Sequence, residues 1–328
     1  MQQETSITLP PEVEKRLRHL GAAGAAWRAE LPAKVERLQK QWALSLGGVL
    51  HGGSGALVIE ARNTAADDLV IKLSVPSIAE PGQSEVLDNN ELKILQAAEG
   101  RGYVLVLEAD DETGAMLMPR LGEPLGRIES DPKTQQRLLC ETLKEAWQVP
   151  TAGIDLQTGA QKANWLRSFI VALAEKHPQY ISAETLSIAV DFTHCRERAH
   201  EQANKVLIHG DPHSLNALHT SSGGYAFIDP DGLFGEPEYD LGVLMREASD
   251  ELLESNTAPI ERGKSRCERL AQLTGTAPLA IWQWGFIERV STGLYCMELD
   301  MPDYGKPSLE VANSWAQQGA RQCYGTSS

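Results

Sequence analysis

Cysteine is scarce and unorganised in this chain of 328 residues: Cys140, Cys195, Cys267, Cys296 and Cys323 are scattered, with no pair at metal-ligand or redox spacing. An odd count without such spacing excludes a disulfide framework and reads as reduced thiols. Positive charge is short as well. Lys and Arg number 30 against 45 Asp and Glu, a formal net charge of −15. That argues against nucleic acid as a partner, because neutralising phosphates takes clustered cations. An acidic surface instead steers small cations toward the protein, and it also serves solubility. No apolar run is long enough to span a membrane, and the opening MQQETSITLPPEVEKRL carries no signal-peptide core. The expectation is a cytoplasmic protein without a membrane partner.

What is present is globular: 42% hydrophobic and 23% charged residues. The length favours two domains or lobes over one. Residues 10–46 read as helices, PPEVEKRLRHL and then LPAKVERLQKQWAL, each opened by proline. GGVL, ALVIEAR and LVIKLSV follow as consecutive antiparallel strands separated by the turns HGGSG and NTAADD. A helix over roughly 84–98 and the strands GYVLVLEAD and GAMLMPRL complete this half. A break at LGEPLG (121–126) leads into a mostly helical remainder. The class is α+β, with lobes at 1–121 and 122–328.

The stretch VLIHGDPHSLNAL runs from an apolar strand into a polar elbow carrying Asp211 and, after four intervening residues, Asn216. Beyond it, NALHTSSGGYAFID has a turn signal at Ser221–Gly224. With that turn as a hairpin tip, Asn216 and Asp229 are equidistant from it and sit opposite each other, about 4.5–5.5 Å apart at Cβ. An amide oxygen and a carboxylate so placed suit one Mg²⁺, with Asp211 facing the same mouth. In LVIKLSV, Leu69, Ile71, Leu73 and Val75 share one face, leaving Lys72 as a lone charge on the other. Glu91 lies on the inward stripe of the next helix and is its natural partner, with Glu85 second. The turn His51-Gly52-Gly53-Ser54-Gly55 lets backbone N–H groups approach phosphate, but it is no Walker loop.

Together these pieces resemble the protein-kinase-like fold: a Gly-rich hairpin, the Val-Ile-Lys strand, an inward Glu, HGDPHSLN and IDPDG. About ten residues separate Asp229 from Tyr239-Asp240, too few for a long activation loop, and no Ala-Pro-Glu follows. The chain is therefore similar to the aminoglycoside phosphotransferase superfamily, nearest its streptomycin 6-phosphotransferase and hydroxyurea phosphotransferase group. HGDPHSLNAL and IDPDGLFGEPEYDLGVLMRE carry most of that likeness.

The resemblance implies a bilobal fold, with an antiparallel β-sheet N-lobe and a helical C-lobe, and ATP or GTP as co-substrate with Mg²⁺. Asp211 would accept the substrate hydroxyl's proton, and Asn216 and Asp229 would hold the metal. Lys72 with Glu91 would grip the phosphates under Gly52, Gly53 and Ser54. The Pro119 carbonyl and Leu121 N–H would read the base, and Asp240 would brace the loop. Asp231, Glu236 and Glu247 are candidate contacts for a small cationic hydroxylated substrate, whereas Trp282 and Trp284 read as core. Alternatives are a kinase of another small metabolite or of hydroxyurea, and a pseudokinase that binds nucleotide without turnover.

Overall fold

Alanine decides where the second helix of the leader begins. The computed structural model describes residues 7–53, 55–76, 90–253 and 257–324, and places α1 at Pro11–His19 and α2 at Ala22–Gln41. The proline of LPAKVERLQKQWAL does not open α2; Pro32 lies inside it. The preceding AAGAAWRAE is rich in the strongest helix former, so the helix starts ten residues earlier. Pro32 then costs one intrahelical bond to the carbonyl a turn back.

The chain divides into two compact units, Met1–Gly122 and Glu123–Ser328. In the first, β1 (Ser45–Leu50), β2 (Ala56–Arg62), β3 (Asp68–Ser74), β4 (Glu108–Asp110) and β5 (Ala115–Pro119) form one antiparallel sheet of order β1-β2-β3-β5-β4. Strand alternation sorts its two faces. Leu57, Ile59, Leu69, Ile71 and Leu73 join Val13, Leu17, Trp27, Leu31 and Leu38 of the helices in one buried cluster. The Trp27 Nε1–H donates to the Ser74 carbonyl at 3.0 Å and ties α2 to that face. Lys72 is on the other face, where α3 (Asn90–Ala98) supplies its partner. The run GYVLVLEAD gives regular strand only at Glu108–Asp110, and Leu107 N–H reaches the Leu117 carbonyl at 2.8 Å. Glu85 and Ser54 lie outside the described residues.

The second unit holds α4 (Leu125–Ile128), α5 (Pro132–Ala146), α6 (Gly159–Lys176), α7 (Ala183–Ala199), α8 (Glu238–Met245), α9 (Ser249–Leu253), α10 (Pro259–Thr274), α11 (Pro278–Glu298) and α12 (Pro302–Gln317). Among them run the short strands β6 (Gln157–Thr158), β7 (Val206–Ile208), β8 (Ala217–His219), β9 (Tyr225–Phe227) and β10 (Leu233–Gly235), in sheets β6-β10-β7 and β8-β9. Helix α11 is the axis of this unit, buried almost continuously from Ala280 to Leu294, with Trp282 and Trp284 fully in the core. It lies close against α8 because both helices present glycine at the contact. A β-carbon on Gly242 would come within 2.5 Å of the Trp284 β-carbon, and one on Gly285 within 2.6 Å of that of Met245. That approach fixes α8, whose residues hold the loop described next.

Candidate active site

Strand β7 delivers His209 to the start of the polar elbow, and three hydrogen bonds to one carboxylate hold the elbow in place. Asp240, in the first turn of α8, accepts from His209 N–H at 3.0 Å, Gly210 N–H at 2.9 Å and Trp147 Nε1–H at 2.9 Å. It is fully buried, and burial pushes its pKa up to about 6 while these donors pull it back. Gly210 has φ +94°, and a β-carbon there would meet that of Asp231 at 2.7 Å. Both constraints favour glycine at this position.

His209 staples the two loops of the site together. Its Nδ1 accepts from Asp211 N–H at 3.1 Å, so the proton sits on Nε2, which donates to the Ile228 carbonyl at 3.0 Å. Burial lowers its pKa to about 4 and keeps the ring neutral, although Asp211 and Asp229 both act on it in the opposite sense.

The hairpin of β8 and β9 is one residue out of the expected register. Ala217 pairs with Phe227, so Asn216 stands opposite Ile228, whose N–H donates to its carbonyl at 2.9 Å. The reason is the parity of the loop. Thr220 N–H bonds the Gly224 carbonyl at 3.1 Å across three residues, with Gly223 and Gly224 both left-handed. Asp229 then leaves the strand at φ +56°, a backbone region that Asp tolerates better than most residues and that breaks the strand's side-chain alternation. Asn216 Nδ2–H donates to the Asp211 carbonyl at 3.0 Å, which leaves Oδ1 as the acceptor of that amide.

Asp211 itself is one-third exposed. Its Oδ1 accepts from Arg246 Nη2, and His213 Nε2 lies 3.4 Å from Oδ2. Burial pushes the carboxyl up, but Arg246 above all, with His213 after it, outweighs this, and its pKa falls below the ordinary carboxylate value. Arg246 in turn lies 3.2 Å from Glu288, which also accepts from the Tyr239 hydroxyl at 2.7 Å. Neither Arg246 nor His213 is assigned a role by the sequence motifs. The available signal was a lone charge ending the apolar run LGVLMR, the same signal that singles out Lys72.

Of the three acids expected to meet substrate, Glu236 is corrected. It is buried, accepts from Arg196 at 3.1 Å and from Trp284 Nε1–H at 2.6 Å, and so serves the core. Glu247 is half-buried beside the elbow, where burial raises its pKa against His213 and Arg246. Asp231 is exposed and lies against Gly210.

In the first unit, Lys72 Nζ and Glu91 Oε1 are 2.5 Å apart, with Lys72 only 8% exposed. Gly52 and Gly53 are exposed, and a β-carbon on either would meet open space, so nothing among the described residues requires glycine there. At the end of β5, Arg120 N–H turns to the Asp68 carbonyl at 3.0 Å. By alternation, the Pro119 carbonyl and Leu121 N–H point to the opposite edge, beyond the last pairing with β4.

Comparison with known proteins follows from this geometry. Residues 41–294 match the family described as aminoglycoside/hydroxyurea antibiotic resistance kinase. The chain belongs to that family. It is a phosphotransferase, 26% identical over 276 residues to streptomycin 6-kinase of Streptomyces glaucescens, covering 82% of this chain and 84% of that one. It is 28% identical over 239 residues to hydroxyurea phosphotransferase of Kitasatospora aureofaciens, covering 72% and 67%. An aminoglycoside phosphotransferase solved as a ternary complex with ADP and hygromycin B superposes with a TM-score of 0.54 at 16% identity, over 87% of this chain and 98% of that one. The fold is that of the protein-kinase-like phosphotransferases.

Proposed function

We propose that this member of the family transfers the γ-phosphoryl group of ATP or GTP to a hydroxyl of a small cationic aminocyclitol, a streptomycin-like antibiotic. The observation that carries the reading is Asp211: a carboxylate on a loop pinned by Asp240, kept ionised by Arg246, and still one-third exposed. A base needs that combination, being anionic, oriented and reachable by the hydroxyl whose proton it accepts. The net charge of −15 suits attraction of a cationic acceptor.

Mg²⁺ fits the residues present. Asn216 Oδ1 and the Asp229 carboxylate are hard oxygen donors, of the kind this ion takes. Among the described residues no group of three or more His, Cys, Asp or Glu side chains forms a metal cage. Mg²⁺ characteristically binds through one or two protein oxygens completed by phosphate oxygens and water, so the two donors suit an ion arriving with the nucleotide. The ion would neutralise charge on the transferring phosphoryl group. In the first unit, Lys72, oriented by Glu91, would hold the α- and β-phosphates, and the backbone at Gly52 and Gly53 would cover them. The Pro119 carbonyl and Leu121 N–H, on a strand edge that β4 leaves unpaired, would take the nucleobase.

A coupled ADP- and GDP-release assay against streptomycin, other aminoglycosides and hydroxyurea tests the reading. Nucleotide release is expected with streptomycin. Release with hydroxyurea alone would move the assignment to that substrate, and release with none of them would overturn the acceptor class.

A further inference from the structure

Three guanidinium groups converge on the turn that joins α8 to α9, residues 246–248. Arg246 opens the turn and reaches Asp211. The other two, Arg289 of α11 and Arg266 of α10, are buried and bond to the turn's backbone. Arg289 Nη2 donates to the Met245 carbonyl at 2.6 Å and Nη1 to the Ser249 hydroxyl at 2.7 Å. Arg266 Nη1 donates to the Glu247 carbonyl at 2.5 Å, and its Nη2 lies 2.9 Å from Glu251 Oε2. The residues on either side of Arg246 therefore each give a carbonyl to a buried arginine. Ala248 completes the turn at φ +53°, in the left-handed region that alanine seldom adopts.

This arrangement works against stability. Arg289 is fully buried, its Nε–H finds no acceptor, and among the described residues no carboxylate pairs with it. Burial, and then the charges of Arg266 and Arg246, push its pKa down. Besides the two acceptors it has the face of Trp315, 5.1 Å from the guanidinium carbon. A buried cation without a counter-charge disfavours the folded chain, and an apolar side chain of similar volume would fill the space at lower cost. What the guanidinium supplies instead is a planar fork of donors. It ties the last carbonyl of α8 to the first residue of α9.

We propose that Arg289 and Arg266 are positioning residues for phosphoryl transfer: they fix the α8–α9 turn so that Arg246 meets Asp211. The inference rests on Asp211 as the base proposed above. Every link is short. The arginines hold the carbonyls of residues 245 and 247, one residue from Arg246, and Arg246 Nη2 bonds Asp211 Oδ1. The Arg246 guanidinium also lies 3.2 Å from Glu288 and 3.5 Å from the Thr292 hydroxyl, both on α11, the helix that carries Arg289. Backbone and side chain of Arg246 are thus both referred to one buried helix. Strain at Ala248 fits this reading, because unfavoured backbone persists where surrounding contacts impose it.

A double-mutant cycle on kcat separates positioning from general support of the fold. Arg289→Met and Arg266→Met are each expected to lower kcat about tenfold, with MgATP affinity unchanged. In an Arg246→Ala background the same substitutions should lower kcat by less than about twofold, because the side chain they act through is gone. Arg266→Lys, which keeps one donor for the Glu247 carbonyl, should recover part of the loss. Equal losses in both backgrounds overturn the proposal, as does an unchanged kcat in the two single variants. Arg266, whose partner Glu251 is exposed, carries the cycle if Arg289→Met does not fold. A crystal structure of Arg266→Met reads the same link without turnover: Arg246 is expected to leave Asp211, and an intact contact overturns the proposal. Asp211→Asn with unchanged kcat, or no acceptor phosphorylated, counts against the proposed reaction alone, since the crystallographic contact does not depend on either.

Discussion

Replacing Arg246 by alanine isolates what holds the proposed base. One guanidinium bridges Asp211 and Glu288, and only a fifth of its side chain is exposed. Removing one partner of a buried pair costs about 3–5 kcal/mol. Asp211 is one-third exposed and regains water, and Glu288 keeps its bond from Tyr239, so the expected loss of stability is nearer 2 kcal/mol. The kinetic consequence is larger. With Oδ1 no longer fixed, the carboxylate loses its orientation toward the hydroxyl, and misplacement on the scale of 1 Å costs about 100-fold in rate. The pH profile also moves, with a definite sign. Burial raises the Asp211 carboxyl and Arg246 is the first charge lowering it, so without Arg246 the pKa rises. The acid limb of kcat/KM then shifts to higher pH, each unit being worth about tenfold in rate below the limb. Stability follows the same linkage. The depressed carboxyl stabilises the folded chain above its unfolded pKa near 3.8, and that contribution disappears as pH falls through the folded value. The gap in Tm between the unmodified chain and Arg246→Ala should therefore narrow on acidification. Arg246→Lys keeps the charge without the fork and should fall between the two. An Arg246→Ala variant with unchanged kcat and an unmoved acid limb would refute the assignment.

Three further substitutions address separate groups. Asp211→Asn should lower kcat by at least about 100-fold while leaving Mg-nucleotide affinity nearly intact; an unchanged kcat rules out this base. Asp229→Asn, which tolerates the left-handed backbone at φ +56°, should weaken nucleotide binding only when Mg²⁺ is present. Equal nucleotide affinity with and without Mg²⁺ in both forms would remove Asp229 as a metal ligand. Asp240→Ala strands three buried or part-buried donors and should cost about 3 kcal/mol in chemical denaturation, together with most of the activity. Full stability in that variant would mean the loop does not depend on Asp240.

The parts of this chain legible in its sequence are those where a local rule and a long-range need agree. Lys72 interrupts an apolar strand, and a charge there must be paired; a glutamate on the inward stripe of the next helix satisfies it, 19 residues away. The sheet faces follow from alternation alone, and the helical leader covers the face that periodicity assigns to the core. Asn216 and Asp229 are on one hairpin, as the turn signal indicates. Their register, however, depends on whether the loop holds an odd or an even number of residues, and that is settled by left-handed glycines rather than by composition.

Glu236 and Arg246 show where local rules stop. Both are charged residues close to the HGDPHSLN and IDPDG motifs in sequence, and position there does not show which of them faces a ligand. Their partners lie 40 and 35 residues away, Arg196 on α7 and Asp211 on the elbow. Which residue faces a ligand and which the core is set by the packing of α8 against α11, where Gly242 and Gly285 allow close approach. That packing seals Glu236 against Trp284 and carries Arg246 to the proposed base. An acidic residue close to a catalytic loop is therefore a poor guide to substrate contact until its nearest cation is known. Glu236 has a buried arginine and is spent on the fold, while Asp231 is exposed beside the elbow.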